Sequence, residues 1–152
     1  MRKKGFTLIE VIVAMSLIFL LSGVVSSVFI SYMKTYKNSV VQNTGFNYLS
    51  GAISIIEKEV NLDAMNVNTE ENVIKIKYSN GSTLNRIKCI GSNIYILYGT
   101  ISVPPKDNSV KSLIIDNVTE FEAVKSGKVL YIKITWQNGQ SIERCLAVEN
   151  AN

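Results

Sequence analysis

The sequence predicts an α+β protein in which one long N-terminal helix packs on an antiparallel β-sheet headpiece. Two observations predict it. An apolar run from Val11 to Met33, 23 residues without one charged side chain, passes directly into apolar positions spaced by three and four: Val41, Gly45, Tyr48, Ala52, Ile56 and Val60. Beyond Asn61 the apolar period falls to two and is punctuated by turn signals at Asn80-Gly81, Gly91-Ser92, Ser126-Gly127 and Asn138-Gly139. The 152 residues accommodate one domain of roughly 100 residues once a membrane segment is set aside, and leave no room for a second.

The first segment, residues 1–5, is short and basic through Arg2, Lys3 and Lys4. The following run is long enough to cross a bilayer: 23 helical residues span roughly 35 Å against a hydrocarbon core of about 30 Å. Basic residues ahead of it orient the N-terminus to the cytoplasm. A cleaved secretory signal has a shorter apolar region, about 7 to 15 residues, and an A-x-A-like site that is absent here. From Lys34 to about residue 62 the same helix becomes one-faced, with Ser39, Gln42, Asn43, Asn47, Ser50 and Ser54 falling mostly away from the apolar stripe. Gly45 and Gly51 are its expected points of bending. The divisions predicted are therefore residues 1–5, 6–33, 34–62 and a β-rich headpiece over 63–152.

In the headpiece, Val73 to Tyr78, Leu84 to Ile90 and Ile94 to Tyr98 read as a three-stranded meander. Val118 to Val124, Val129 to Trp136 and Ile142 to Val148 read as another, with a loop between the two at Pro104-Pro105 and Asp107-Asn108. Pairing each hairpin about its Asn-Gly turn places Ile74, Ile76, Ile87 and Cys89 on one face, and Leu130, Ile132, Ile134, Cys145 and Ala147 on another. Both faces are expected to cover the apolar stripe of the helix. Cys89 and Cys145 are then both inward and outside the cytoplasm, candidates for a disulfide, with buried free thiols as the alternative.

Composition excludes much chemistry. There is no histidine, and the two cysteines stand 56 positions apart, so zinc spacings, Cys-His pairs and Ser-His-Asp triads are missing. No enzyme activity, cofactor or metal is expected. The net charge of +4 does not signal nucleic acid: without residues 1–5 the chain has 13 Lys and Arg against 12 Asp and Glu. Lys75, Lys77, Arg86 and Lys88 form a local basic cluster, read as a solvated strand face. Trp136, Tyr95, Tyr98 and Tyr131 would suit stacking on single-stranded DNA, but strand aromatics more commonly pack a sheet. Asp63, Glu70 and Glu71 lack the dense oxygen pattern of a calcium loop.

The most informative motif is Gly5 to Val11, GFTLIEV, which combines a basic leader, Gly5 before Phe6, Glu10 four positions on, and a long apolar run. A carboxylate in such a run costs about 2.5 to 3.5 kcal/mol on insertion scales, so it usually has a partner and a function. The motif resembles the type III signal sequence of type IV prepilins and type II secretion pseudopilins. That resemblance implies a type IV pilin-like fold and cleavage between Gly5 and Phe6 by a prepilin peptidase, a separate membrane enzyme of which this chain is the substrate. It also implies N-methylation of Phe6 and assembly with other subunits through an attraction between Glu10 and the Phe6 amino group of a neighbour. An inner-membrane assembly platform would be a further partner, and residues 6–33 would form the filament core. The chain would begin as a single-pass cytoplasmic membrane protein with its C-terminal domain outside, then join a cell-surface or periplasmic filament. Segments Ile53 to Val67 and Ile114 to Phe121 look like those of PilW-type minor pilins and J-type pseudopilins. Binding of DNA, a surface or a secreted substrate at a filament tip, through the sheet or the Ser102 to Lys111 loop, is the alternative role.

Overall fold

In a computed structural model, residues 7–62 and 64–148 are described. The elements run α1 (Leu8–Asn61), β1 (Ala64–Glu70), β2 (Val73–Tyr78), β3 (Thr83–Ile90), β4 (Asn93–Thr100), β5 (Lys111–Ile115), β6 (Val118–Ser126), β7 (Val129–Trp136) and β8 (Ser141–Ala147). The α+β architecture of a long apolar helix with antiparallel sheets matches the type IV pilin-like fold expected from the sequence. The chain divides into two units between Val41 and Gln42.

In the first unit every described side chain is exposed, including Leu17, Phe19, Leu20, Leu21, Val24 and Phe29. Here α1 is long and apolar enough to cross a membrane, and none of its most apolar window is buried. The hydroxyls it carries are satisfied locally. Ser16, Ser22, Ser26 and Ser27 each donate to the carbonyl four residues back at 2.7–2.9 Å, as groups placed in hydrocarbon must.

In the second unit, helix residues Gly45, Leu49, Ala52, Ile53, Ile56 and Val60 turn inward. Tyr48 and Val41, expected on the stripe, are 46% and 49% exposed; Leu49 takes the place of Tyr48, and Ile53 is buried beside Ala52. The buried path passes through Leu49 and not Tyr48, both apolar, because spacings of three and four fit either residue. The inner faces of a five-stranded sheet in the order β1-β2-β3-β4-β5 and a three-stranded sheet in the order β6-β7-β8 join these residues in one core. Ile74, Ile76, Ile87 and Ile94 of the first sheet and Leu130, Ile132 and Ile134 of the second are fully buried.

Two strands extend the expected meander. β1 and β5 pair with its outer members, Val67 opposite Ile76 and Ile96 opposite Ser112. β1 carries a bulge between Ala64 and Asn66, so its inward residues Ala64 and Val67 stand three apart and do not alternate. The two-residue link to β2, Glu71-Asn72, has φ of 49° and 60°, the left-handed pair of a tight hairpin made without glycine. Across the gap between the sheets, Thr69 Oγ1 accepts from the Lys125 amide at 2.9 Å and Asn72 Oδ1 from the Ala123 amide at 3.3 Å.

The hairpin faces differ in outcome. Ile74 opposes Ile87, as expected from Asn80-Gly81, and Cys89 is partly buried against the core. In the second hairpin Leu130 opposes Leu146, Tyr131 opposes Cys145 and Val129 opposes Ala147. Cys145 and Ala147 therefore face outward, and Ile142 and Leu146 occupy the core. The reason is one residue of loop. Trp136 and Gln140 close the turn, with the Trp136 amide donating to the Gln140 carbonyl at 2.8 Å, so Gln137-Asn138-Gly139 forms a three-residue loop with Gly139 left-handed at φ 82°. A shift of one residue moves every side chain of the strand to the other face. Cys89, half-buried, and Cys145, exposed, are both free thiols.

The helix continues through both glycines expected to bend it. Gly45 serves a close approach. A Cβ there would lie 2.9 Å from Asn138 Nδ2 and would collide with Gln140, whose Nε2 donates to the Gln42 carbonyl at 3.0 Å. Gly51 has open space around it. Gly51→Ala is expected to raise the stability of the isolated chain by about 0.5–1 kcal/mol through helix propensity. Gly45→Ala gains nothing, because the displaced Gln140 bond offsets the same term. Urea unfolding followed by circular dichroism compares the two.

Near the C-terminal end of α1, the Tyr78 hydroxyl donates to Glu59 Oε2 at 2.6 Å and accepts from Asn85 Nδ2 at 3.1 Å. Asn85 is 5% exposed on the core face of β3. Burial first, and then the Glu59 carboxylate, push the Tyr78 hydroxyl well above its ordinary value near 10. Between that value and the raised one the folded chain holds a proton that the unfolded chain releases, so stability falls as pH rises above about 10. Tyr78→Phe is expected to cost about 1–3 kcal/mol at neutral pH, by leaving Glu59 and Asn85 without their partner. It also flattens the alkaline slope, measured as urea midpoints between pH 8 and 11.

Candidate functional site

The site nominated by the sequence is the start of α1. Gly5 and Phe6 lie outside the described residues. Thr7 is the first described residue, helical structure begins at Leu8, and Glu10 stands in the first turn. Glu10 Oε2 accepts a bond from the Thr7 amide at 2.8 Å and a second from Thr7 Oγ1 at 2.9 Å. This is half of a capping box: in Thr7-Leu8-Ile9-Glu10 the third helical residue reaches back to the amide of the capping residue and satisfies one of the helix's unpaired donors. A carboxylate at this end is also favoured by the helix dipole.

The T-x-x-E spacing of Thr7 and Glu10 is the signal of such a cap in the sequence. Beside Glu10, the side chains of Ile9, Val13, Ala14 and Leu17 border a shallow apolar groove of about 300 Å³. The arrangement offers a carboxylate with a local neutral partner, set in exposed apolar surface. Among the described residues there is no group of three or more histidine, cysteine or acidic side chains able to hold a metal. Of the weak calcium set, Asp63 lies outside the described residues.

The remaining candidates fall elsewhere. Trp136 packs on Tyr48 at 5.6 Å between ring centroids and donates from Nε1 to the Asp116 carbonyl at 2.9 Å. Tyr95 takes a bond from Asn93 and carries Lys111 4.7 Å above its ring, and Tyr98 donates to Ser112 Oγ at 3.2 Å. The Tyr131 hydroxyl is pushed above its ordinary value by desolvation and then by a hydrogen bond with Glu143. Each of these aromatics therefore has a partner within the second unit. Cys89 is a thiol raised by burial. The basic cluster is less open than a solvated face: Lys75 and Lys88 are each ion-paired, with Glu70 and Asp107, and Arg86 donates to the Pro105 carbonyl at 3.1 Å.

Residues 1–26 match the family model described as the prokaryotic N-terminal methylation motif, which spans Gly5, Phe6 and Glu10. A search of curated proteins finds no match to the chain. The matched motif opens an apolar helix of membrane-crossing length that ends in a globular C-terminal region, as in a membrane-anchored pilin. Prokaryotic N-terminal methylation motif, long apolar helix and antiparallel sheets together support a type IV pilin or pseudopilin family.

Proposed function

We propose that the chain is a minor pilin or pseudopilin, cut by prepilin peptidase between Gly5 and Phe6 and assembled through α1 into a filament of the pilus, competence or type II secretion kind. The observation that carries the reading is that every described residue from Thr7 to Thr44 is exposed, although most are apolar up to Met33. So large an apolar surface needs cover. A bilayer supplies it for the waiting subunit, and the equivalent helices of other subunits supply it in the filament. Ala14, Gly23, Ser26 and Ser27 are small enough to let helix backbones approach closely.

Glu10 takes the role of an assembly contact. In the free chain its carboxylate is held by Thr7, two neutral donors of the same segment. After cleavage the α-amino group of Phe6 becomes a charged donor, and on a neighbouring subunit it offers a stronger, charge-assisted bond in a dry environment. The role is structural, in keeping with the pilin family, and the peptidase is a separate partner.

Glu10→Ala is expected to leave membrane insertion and the headpiece intact while incorporation into sheared filaments falls at least about tenfold, the scale of losing a desolvated charge pair. Quantitative immunoblotting of filament and membrane fractions measures it. A bulky residue at Gly5 is expected to block cutting and incorporation together. Filaments that carry the uncut precursor at normal levels would contradict the proposal.

A further inference from the structure

On the face of the five-stranded sheet turned away from α1, the loop of residues 101–110 folds back over β2, β3 and β4. Beneath it lies a cleft of about 600 Å³, within the range of small-molecule sites. Its floor is apolar: Leu97 is 1% exposed, and Val73 and Pro105 complete it. Its walls hold four cations, Lys75, Arg86, Lys88 and Lys106, against three carboxylates, Glu70, Glu71 and Asp107.

The cations are not equivalent. Lys75 is paired with Glu70 at one rim, and Lys88 with Asp107 at the other, at 2.9 Å. Arg86, between them on β3, opposes Lys75 on one side and Leu97 on the other. Its guanidinium makes one bond, from Nη1 to the Pro105 carbonyl, and its Nε is buried with no hydrogen-bond partner. A buried donor left unmatched is rare enough in native structures to call for an explanation.

The geometry points to a binding site for a small ligand that carries a single carboxylate on an apolar body, the carboxylate on Arg86 and the body over Leu97. A guanidinium presents donors in a fork suited to a carboxylate. The surplus of one positive charge matches one negative charge. A nucleic-acid backbone would need several unpaired cations in a row, whereas Lys75 and Lys88 are already paired. The Lys88–Asp107 pair and the Arg86–Pro105 bond tie the loop to the sheet, so a ligand that reaches Arg86 Nε must shift the loop, and loop order reports occupancy. This inference does not depend on assembly through Glu10, because the cleft belongs wholly to the headpiece.

The test uses the full chain in phosphatidylcholine nanodiscs, with arginine Nε labelled for NMR; the chain has three arginines, Arg2, Arg86 and Arg144, so the spectrum is simple. Titration with benzoate is expected to give a saturable shift of the Arg86 Nε signal and none at Arg144, and benzamide, its neutral counterpart, gives no shift. Lys106→Gln, on an exposed loop residue, is expected to weaken benzoate binding severalfold while the spectrum stays folded, and Arg86→Gln to abolish it. Absence of a saturable shift, an equal response to benzamide, or indifference to Lys106→Gln would each overturn the site. Tighter saturation by inorganic phosphate than by benzoate would overturn the assignment to a carboxylate.

Discussion

Leu49, Ala52, Ile53, Ile56 and Val60 supply the apolar surface on which both sheets are buried, and most features of the headpiece follow from keeping that surface dry. The two sheets meet over it at the shortest of joints, Asp116-Asn117, between β5 and β6. Asn117 there is left-handed at φ 54°, the Val118 amide donates to the Ser92 carbonyl at 2.7 Å, and the Gln137 amide donates to the Asn117 carbonyl at 2.8 Å. Those bonds bring the β3–β4 and β7–β8 turns to one place. At one end of the buried stripe Gly45 admits the β7–β8 turn, and at the other Glu59 meets Tyr78. Fully buried Ile or Leu side chains in such a core are worth about 2–5 kcal/mol each when truncated to alanine, so the helix is part of the fold from Gly45 onward.

One helix thus answers to two different solvents. Up to Met33 its composition suits lipid, and its hydroxyls bond inward to its own backbone. After Gly45 it keeps one apolar side and turns a polar side to water. No proline or break marks the change, and the sequence signals it only through the return of Lys34, Lys37 and the amides of Gln42, Asn43 and Asn47. The N-terminal motif opens the same element, where the Thr7 amide and hydroxyl both donate to Glu10.

Much of this was legible in the residues. The helix, its length, the six strands with regular alternation and the four glycine turns were all readable, because period and turn chemistry are local properties. β1 and β5 were not. In β1 a bulge spaces Ala64 and Val67 by three, and in β5 only Ile115 is fully buried, so neither shows the alternation of a half-buried strand. The Glu71-Asn72 turn has no glycine to announce it. The N-terminal motif was legible down to Gly5, Phe6 and Glu10, since it is a fixed string. The Arg86 cleft was visible only as a basic cluster, because its shape depends on where the 101–110 loop returns.

The misplacement of Cys145 teaches the most about the β7–β8 hairpin. An Asn-Gly pair is compatible with a two-residue or a three-residue loop, and the choice decides whether Ile142 and Leu146 or Glu143, Cys145 and Ala147 face the core. Gln140, anchored on the Gln42 carbonyl, and Trp136, anchored on Asp116, hold the ends of the longer loop in place. Point changes in Gln137 leave that pairing untouched, whereas Asn138 Oδ1 also accepts from the Gln140 amide at 3.0 Å. Even a loop shortened by one residue keeps Ile142 opposite Ile134 as long as Trp136 still closes on Gln140. The inward face of β8 is therefore fixed by the pair that closes the turn, Trp136 and Gln140, and not by the letters between them.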